Sequence, residues 1–238
     1  VATIEGHDWA WGWNVGATVK VGEPGRLAVA YRSRVSHELE GDATFSSAPS
    51  FSLPGPLAPL GGALNARFAS GPVTAKVELP DTVSVAAAYE GDRVGVLADW
   101  SWTGWSSIES LPIERVDGPA VSEVPLRFDD VWRVGLGVNY KTSDRLKLRF
   151  GTAYDVTPVQ DAFRTPRLPD QSRIWAAAGF QYRVGKGAID VGYAHLFVED
   201  ASSNLPNQDT PTAAPAGTLV GTYEGKVDIF SVQYRLSF

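Results

Sequence analysis

The chain has 238 residues with no cysteine, no methionine and a net charge of −6. That composition excludes disulfides and thiolate metal sites, and with no basic run it argues against a nucleic-acid partner. No apolar run approaches the roughly 20 residues of a spanning helix, so a helical membrane protein is excluded too, whereas a sheet that dilutes a greasy face at every second position is not.

Alternation with a period of two recurs in nine segments, which predict nine strands. The first sets Trp9, Trp11, Trp13, Val15, Ala17, Val19 and Val21 against Gly12, Asn14, Gly16, Thr18 and Lys20. The second sets Leu27, Val29, Tyr31, Val35 and Leu39 against Arg32, Arg34, Glu38 and Glu40. Then come Val83/Val85/Ala87/Tyr89, Val94/Val96/Ala98/Trp100/Trp102 and Trp132/Val134/Leu136/Val138/Tyr140. Leu146/Leu148/Phe150 opposes Arg145/Lys147/Arg149, the sharpest segregation in the chain. Ile174/Ala176/Ala178/Phe180/Tyr182 and Ile189/Val191/Tyr193 lead to the last segment, where Phe230, Val232, Tyr234, Leu236 and Phe238 alternate with Ser231, Gln233, Arg235 and Ser237.

Connections alternate in length. Gly22-Glu-Pro-Gly25, Gly91-Asp92, Thr142-Ser-Asp144 and Gly185-Lys-Gly187 predict tight turns. Longer connections fall at about residues 47–73, 106–123, 155–171 and 199–217, where alternation lapses. Short turns at one end and long loops at the other describe a transmembrane antiparallel β-barrel of the outer-membrane type, with a mixed or wet lumen and lipid outside. A soluble sandwich also alternates, but would rarely keep such order over so many connections. The terminal Phe238 resembles the closing signal read by the bacterial outer-membrane assembly machinery. Nine strands counted back from a periplasmic C-terminus put Val1 outside, and single-chain bacterial barrels have even strand numbers. The expectation is therefore one domain over 1–238 that forms the C-terminal part of a larger barrel. With no Met and no signal-peptide pattern, the chain is expected to begin after a processing or proteolytic boundary.

Several stretches resemble the outer-membrane long-chain fatty acid transporter (FadL/TodX-type) family. They include Asp8-Trp-Ala-Trp-Gly-Trp-Asn-Val-Gly16, Leu27-Ala-Val-Ala-Tyr-Arg-Ser-Arg-Val35, Trp132-Arg-Val-Gly-Leu-Gly137 and Tyr154-Asp-Val-Thr-Pro-Val159. The most specific are Arg164-Thr-Pro-Arg-Leu-Pro-Asp-Gln-Ser-Arg-Ile-Trp175 and Asp190-Val-Gly-Tyr-Ala-His195. The resemblance runs collinearly over the whole chain. It implies a fourteen-stranded monomeric barrel plugged by an N-terminal hatch, of which this chain is the last nine strands. It also implies passive uptake of long-chain fatty acids or related hydrophobes, with no cofactor. The partners it implies are the hydrophobic ligand, outer-membrane lipid and lipopolysaccharide, and the missing N-terminal segment of the same barrel.

Residues 48–71 are too apolar for an ordinary surface loop. Pro49, Pro54, Pro56 and Pro59 confine any helix to its second half. In the family the equivalent loop helps form an outer groove, a role carried here to Phe51, Leu53, Leu57, Leu60, Leu64 and Phe68; packing on neighbouring loops as a lid is the alternative. Lumen-facing cations Arg32, Arg34, Arg133, Lys147, Arg149, Arg173, Arg183 and Arg235 are candidates to meet a ligand carboxylate, Arg133 and Arg149 first. Pairing with lumen acids Glu38, Glu40, Asp99 and Asp190 is the competing role. Most Trp residues suit the membrane interface, while Trp105 and Trp175 fall on the opposite parity and are lumen candidates. His7, His37 and His195 show no hydrolase spacing, so no enzyme is expected. Glu199, Asp200 and Asp209 read as solvated acids rather than metal ligands. The rival functions are a general porin, which calls for a polar constriction loop, and a structural or receptor barrel.

Overall fold

The computed structural model describes residues 2–46, 50–118, 120–205 and 218–236. In chain order the strands are β1 (Ala2–His7), β2 (Asn14–Val21), β3 (Gly25–Arg32) and β4 (Val35–Phe45), followed by helix α1 (Ala58–Arg67). Next come β5 (Gly71–Leu79), β6 (Thr82–Glu90), β7 (Val94–Thr103), β8 (Ser110–Arg115), β9 (Ser122–Pro125) and β10 (Val131–Lys141). The chain continues through β11 (Leu146–Asp155), β12 (Arg173–Val184), β13 (Gly187–Val198), β14 (Ala201–Leu205), β15 (Leu219–Tyr223) and β16 (Lys226–Leu236).

Nine of these form one sheet in the order β16-β13-β12-β11-β10-β7-β6-β3-β2. Every neighbouring pair is antiparallel, and they are the nine strands that the alternation predicts. β10 to β13 and β16 run 10 to 12 residues, the length a tilted strand needs to cross the hydrocarbon layer. The predicted turns close at Val21↔Gly25 and Val184↔Gly187. Gly22 and Gly185 supply the positive φ angles, 66° and 56°, that these hairpins require. Cross-strand pairing puts apolar side chains in rows on one face: Val134, Trp100 and Val85, for example, or Tyr193 and Phe230. Those rows stay open: Leu136, Phe150 and Phe230 are 52, 54 and 72% exposed. The opposite face holds Asp99, Arg133, Arg149, Gln181 and Asp190 with many Gly and Ala. In β16 the alternation is as expected from Phe230 to Leu236; Ser237 and Phe238 lie outside the described residues.

A second sheet, β1-β4-β5-β8-β9, stands above the first. Here the expectation was too simple. β1 and β2, β3 and β4, β5 and β6, β7 and β8, and β9 and β10 follow one another as pairs of strands, each pair interrupted once. The breaks are at residues 8–13, 33–34, 80–81, 104–109 and 126–130. They are cross-linked in a row. Ser33 N–H donates to the Trp13 carbonyl at 2.9 Å while its Oγ accepts from Trp13 N–H at 2.9 Å, and Gly104 N–H donates to the Asp81 carbonyl at 3.0 Å. Pro80 has no N–H to give a ladder, and a Cβ on Gly104 would lie 2.7 Å from Asp81 Oδ1.

The breaks correct three expectations. Trp9 and Trp11 belong to no strand and are 95 and 96% exposed. Val35 and Leu39 leave the lipid-facing row and lie half-covered in β4. Arg34 does not face the lumen: its Nε donates to Asp81 Oδ1 at 2.9 Å, and the same carboxylate accepts from the Tyr31 hydroxyl on the apolar side. The expected long loops at 47–73, 106–123 and 199–217 likewise contain α1, β8, β14 and the starts of β5 and β9.

Candidate functional site

Where the two sheets meet, a cavity of about 410 Å³ opens on the charged face of the larger one. Its floor is strand: Ser101 and Thr103 of β7, Val131 and Arg133 of β10, Asp155 of β11 and Arg173 of β12. Its upper wall is loop: Trp105, Phe128, Val159 and Leu168. Phe128 and Val159 belong to the buried cluster with Ile108 and Leu126, and Trp105 meets the Phe128 ring edge-on at 6.0 Å between centroids. An apolar wall over a polar floor is the usual build of a site for a mainly hydrophobic ligand, and the volume is within the common range for small-molecule sites.

The floor cations arrive already paired. Arg133 Nη1 lies 2.8 Å from Asp99 Oδ2, and Arg173 reaches Asp155 and Asp170 at 3.1 Å each. Arg149 is lower on the same face, 2.9 Å from Asp190, which also holds Arg235 and accepts from Gln181. Of the expected lumen residues, Arg133 and Trp105 therefore share one cavity, while Arg149 and Trp175 do not. Trp175 lies between Ala153 and Leu196 on the inner face, with its Nε1 buried and without a hydrogen-bond partner among the described residues.

The apolar loop divides. Phe51, Leu53, Leu64 and Phe68 are half-buried. Phe68 stacks on Phe51 at 6.5 Å and meets Phe45 of β4 edge-on at 6.0 Å. Asn65 exchanges two hydrogen bonds with the Phe51 backbone, at 2.8 and 3.0 Å, closing the proline-rich segment onto α1. Leu57 and Leu60 point the other way, 55 and 54% exposed. Helix begins at Ala58, with Pro59 in its first turn where a missing N–H costs nothing. Residues 47–49, including Ala48 and Pro49, lie outside the described residues.

Arg164 was not foreseen as more than part of a motif, yet its side chain is fully buried. Its guanidinium donates to the carbonyls of Val159, Asp170 and Ser202 at 3.2, 3.1 and 2.6 Å and pairs with Asp161. Ser203 Oγ donates back to the Arg164 carbonyl at 3.0 Å. One side chain thereby ties the cavity wall, residues 159–170, to β14. Proline and threonine around an arginine signal an ordered turn; nothing in their spacing says that the arginine faces inward.

Among the described residues the remaining polar groups do not assemble into a catalytic set. His37 Nδ1 faces Asp8 at 3.2 Å, in the upper sheet. His195 Nδ1 is 2.7 Å from Asp228 on the outward face, and that carboxylate is shared with the Tyr193 hydroxyl rather than with a nucleophile. Above the spanning strands, the Arg34 hydrogen bond holds the Asp81 carboxyl below the usual carboxylate range, so this link persists at neutral pH.

This architecture matches known proteins over its whole extent. The chain is 28% identical over 244 residues to a long-chain fatty acid transport protein of Salmonella typhi, covering all of this chain and 52% of that one. A solved Pseudomonas aeruginosa FadL homologue superposes with a TM-score of 0.78 at 25% identity, over 94% of this chain and 52% of the other. The Ralstonia pickettii toluene transporter TbuX shares the fold, with a TM-score of 0.57 at 19% identity over 99% of this chain and 50% of its own. The chain thus spans about half the length of the relatives it matches. A family model described as outer membrane protein transport protein (OMPP1/FadL/TodX) matches residues 1–238, and the chain belongs to that family of bacterial outer-membrane β-barrel proteins.

Proposed function

We propose that this chain is the C-terminal nine strands of a fourteen-stranded monomeric barrel that takes up hydrophobic small molecules, long-chain fatty acids or related hydrocarbons, across the outer membrane. The observation that carries this reading is the apolar-roofed cavity on the inner face of the sheet, where the spanning strands end. Support comes also from relatives named for fatty-acid and toluene transport. In this reading the ligand is captured at the exposed Leu57 and Leu60, enters beneath Trp105 and Phe128, and moves inward by diffusion. A ligand carboxylate would have to share Arg133 with Asp99, and Arg173 with Asp155 and Asp170, so hydrocarbon contact supplies most of the affinity. A general porin fits less well, since the loop over residues 50–68 presents leucine and phenylalanine rather than charge.

The test is saturable oleate and toluene binding by the full-length protein, compared with a variant carrying Leu57→Asp, Leu60→Asp and Leu64→Asp. Binding in the parent with at least a tenfold loss in the variant is the expected result, the magnitude of moving apolar contacts back into water. Unchanged binding in the variant removes the loop from the path. No saturable binding of either ligand by the parent overturns the transport reading.

A further inference from the structure

At the tight-turn end, the inner face of the spanning sheet concentrates positive charge. A cavity of about 460 Å³ there is bordered by Arg93, Lys141, Arg145, Lys147 and Arg183. The acids on its lining are Asp92 and Asp144. Lys141 and Lys147 stand directly opposite each other on β10 and β11. Arg183 is the diagonal neighbour of Lys147, whose direct partner on β12 is Gln181. All three share the inward parity of Arg133 and Arg149.

Like charges placed directly opposite on a sheet repel, so an anion seated between them relieves the repulsion. Neutralisation from within is not found: among the described residues none of the five cationic side chains makes an ion pair or hydrogen bond. The two acids on the lining, Asp92 and Asp144, make no ion pair among the described residues and leave the five cations in excess, while Asp190, higher on the same face, is held by Arg149 and Arg235. Higher on the same face, by contrast, Arg133, Arg149 and Arg173 each meet a carboxylate. Short turns mark this end as periplasmic.

We propose that this cluster is an oxyanion-binding site at the periplasmic mouth of the barrel, which takes the carboxylate or phosphate head of an amphiphile. The lysines supply point charge and the arginines a planar fork that fits either group. Two sources share that chemistry, a fatty-acid carboxylate leaving the lumen and a phospholipid of the inner leaflet; only the first rests on the transport reading.

The experiment uses the full-length protein in phosphatidylcholine nanodiscs and a variant with Lys141→Gln, Lys147→Gln and Arg183→Gln, its folding checked by heat-modified gel mobility. Binding of oleate, oleyl alcohol and dihexanoyl phosphatidylglycerol is measured against salt. The expected result is a loss of about tenfold for at least one anionic ligand, the scale of a lost charge-assisted contact, with oleyl alcohol unchanged. Loss for oleate alone assigns the site to cargo, and loss for phosphatidylglycerol alone to lipid. Unchanged binding of both anions overturns the site, as does an equal loss for oleyl alcohol. If the parent binds no hydrophobe the transport reading fails, and the phosphatidylglycerol arm still decides the site.

Discussion

Five strands of the larger sheet continue into the five of the smaller one, yet the two sheets solve opposite problems. In the nine-stranded sheet one face is continuously apolar and uncovered, with Leu136 52% and Val134 43% exposed, because a bilayer supplies its cover. In the five-stranded sheet the less exposed face of β4 and β5 is covered by protein instead, with Ala43 and Val73 at 1 and 4%. Past the row of breaks, an exposed apolar side chain no longer means lipid contact. Burial by the chain's own loops and burial by membrane meet at that row, and the cavity opens there.

The largest expected effect tests whether the outer part holds itself together. Arg164→Met leaves the carbonyls of Val159, Asp170 and Ser202 without a donor, a cost on the order of 3 kcal/mol for a buried polar cluster. Limited proteolysis is expected to cut within residues 156–172 while heat-modified gel mobility shows the spanning sheet still closed. Loss of the whole barrel in this variant, or a protease pattern like the parent's, breaks the division into two regions.

A second comparison uses two leucines with nearly equal exposure, Leu136 at 52% and Leu60 at 54%. Arginine at Leu136 is expected to cost about 2–4 kcal/mol, as for a charge on the lipid face near mid-membrane. Arginine at Leu60 on α1 is expected to cost no more than about 0.5 kcal/mol, as on a watery surface. Denaturant unfolding from lipid vesicles measures both. Equal costs place the two residues in one medium.

Where a strand has lipid on one side, its alternation is uninterrupted and readable, which is why Trp132 to Tyr140 and Phe230 to Leu236 identify strands without help. The outer sheet was not legible because its strands inherit the same period across a break. Val35 and Leu39 keep the parity of Leu27 and Val29, and only the Ser33–Trp13 hydrogen bonds and the Arg34–Asp81 pair show that the surroundings have changed. Arg133 lines the cavity from a strand, as its parity predicts, whereas Trp105 reaches it from the break after β7, where parity no longer applies. Arg149 and Trp175 obey the same parity but stand elsewhere on a long wall, since parity fixes the side and not the height. Phe128, Val159 and Leu168 come from loops with no period, so packing alone brings them to the cavity.

The most direct measurement is ligand binding by the full-length protein carrying Ser101→Trp, which fills the cavity from the floor and replaces no residue of its apolar wall or ion pairs. Oleate and toluene affinity is expected to fall at least about tenfold with the barrel still folded, the effect of occupying a hydrophobic site. Parent-like affinity for both ligands in the folded variant contradicts the assignment of this cavity to the path.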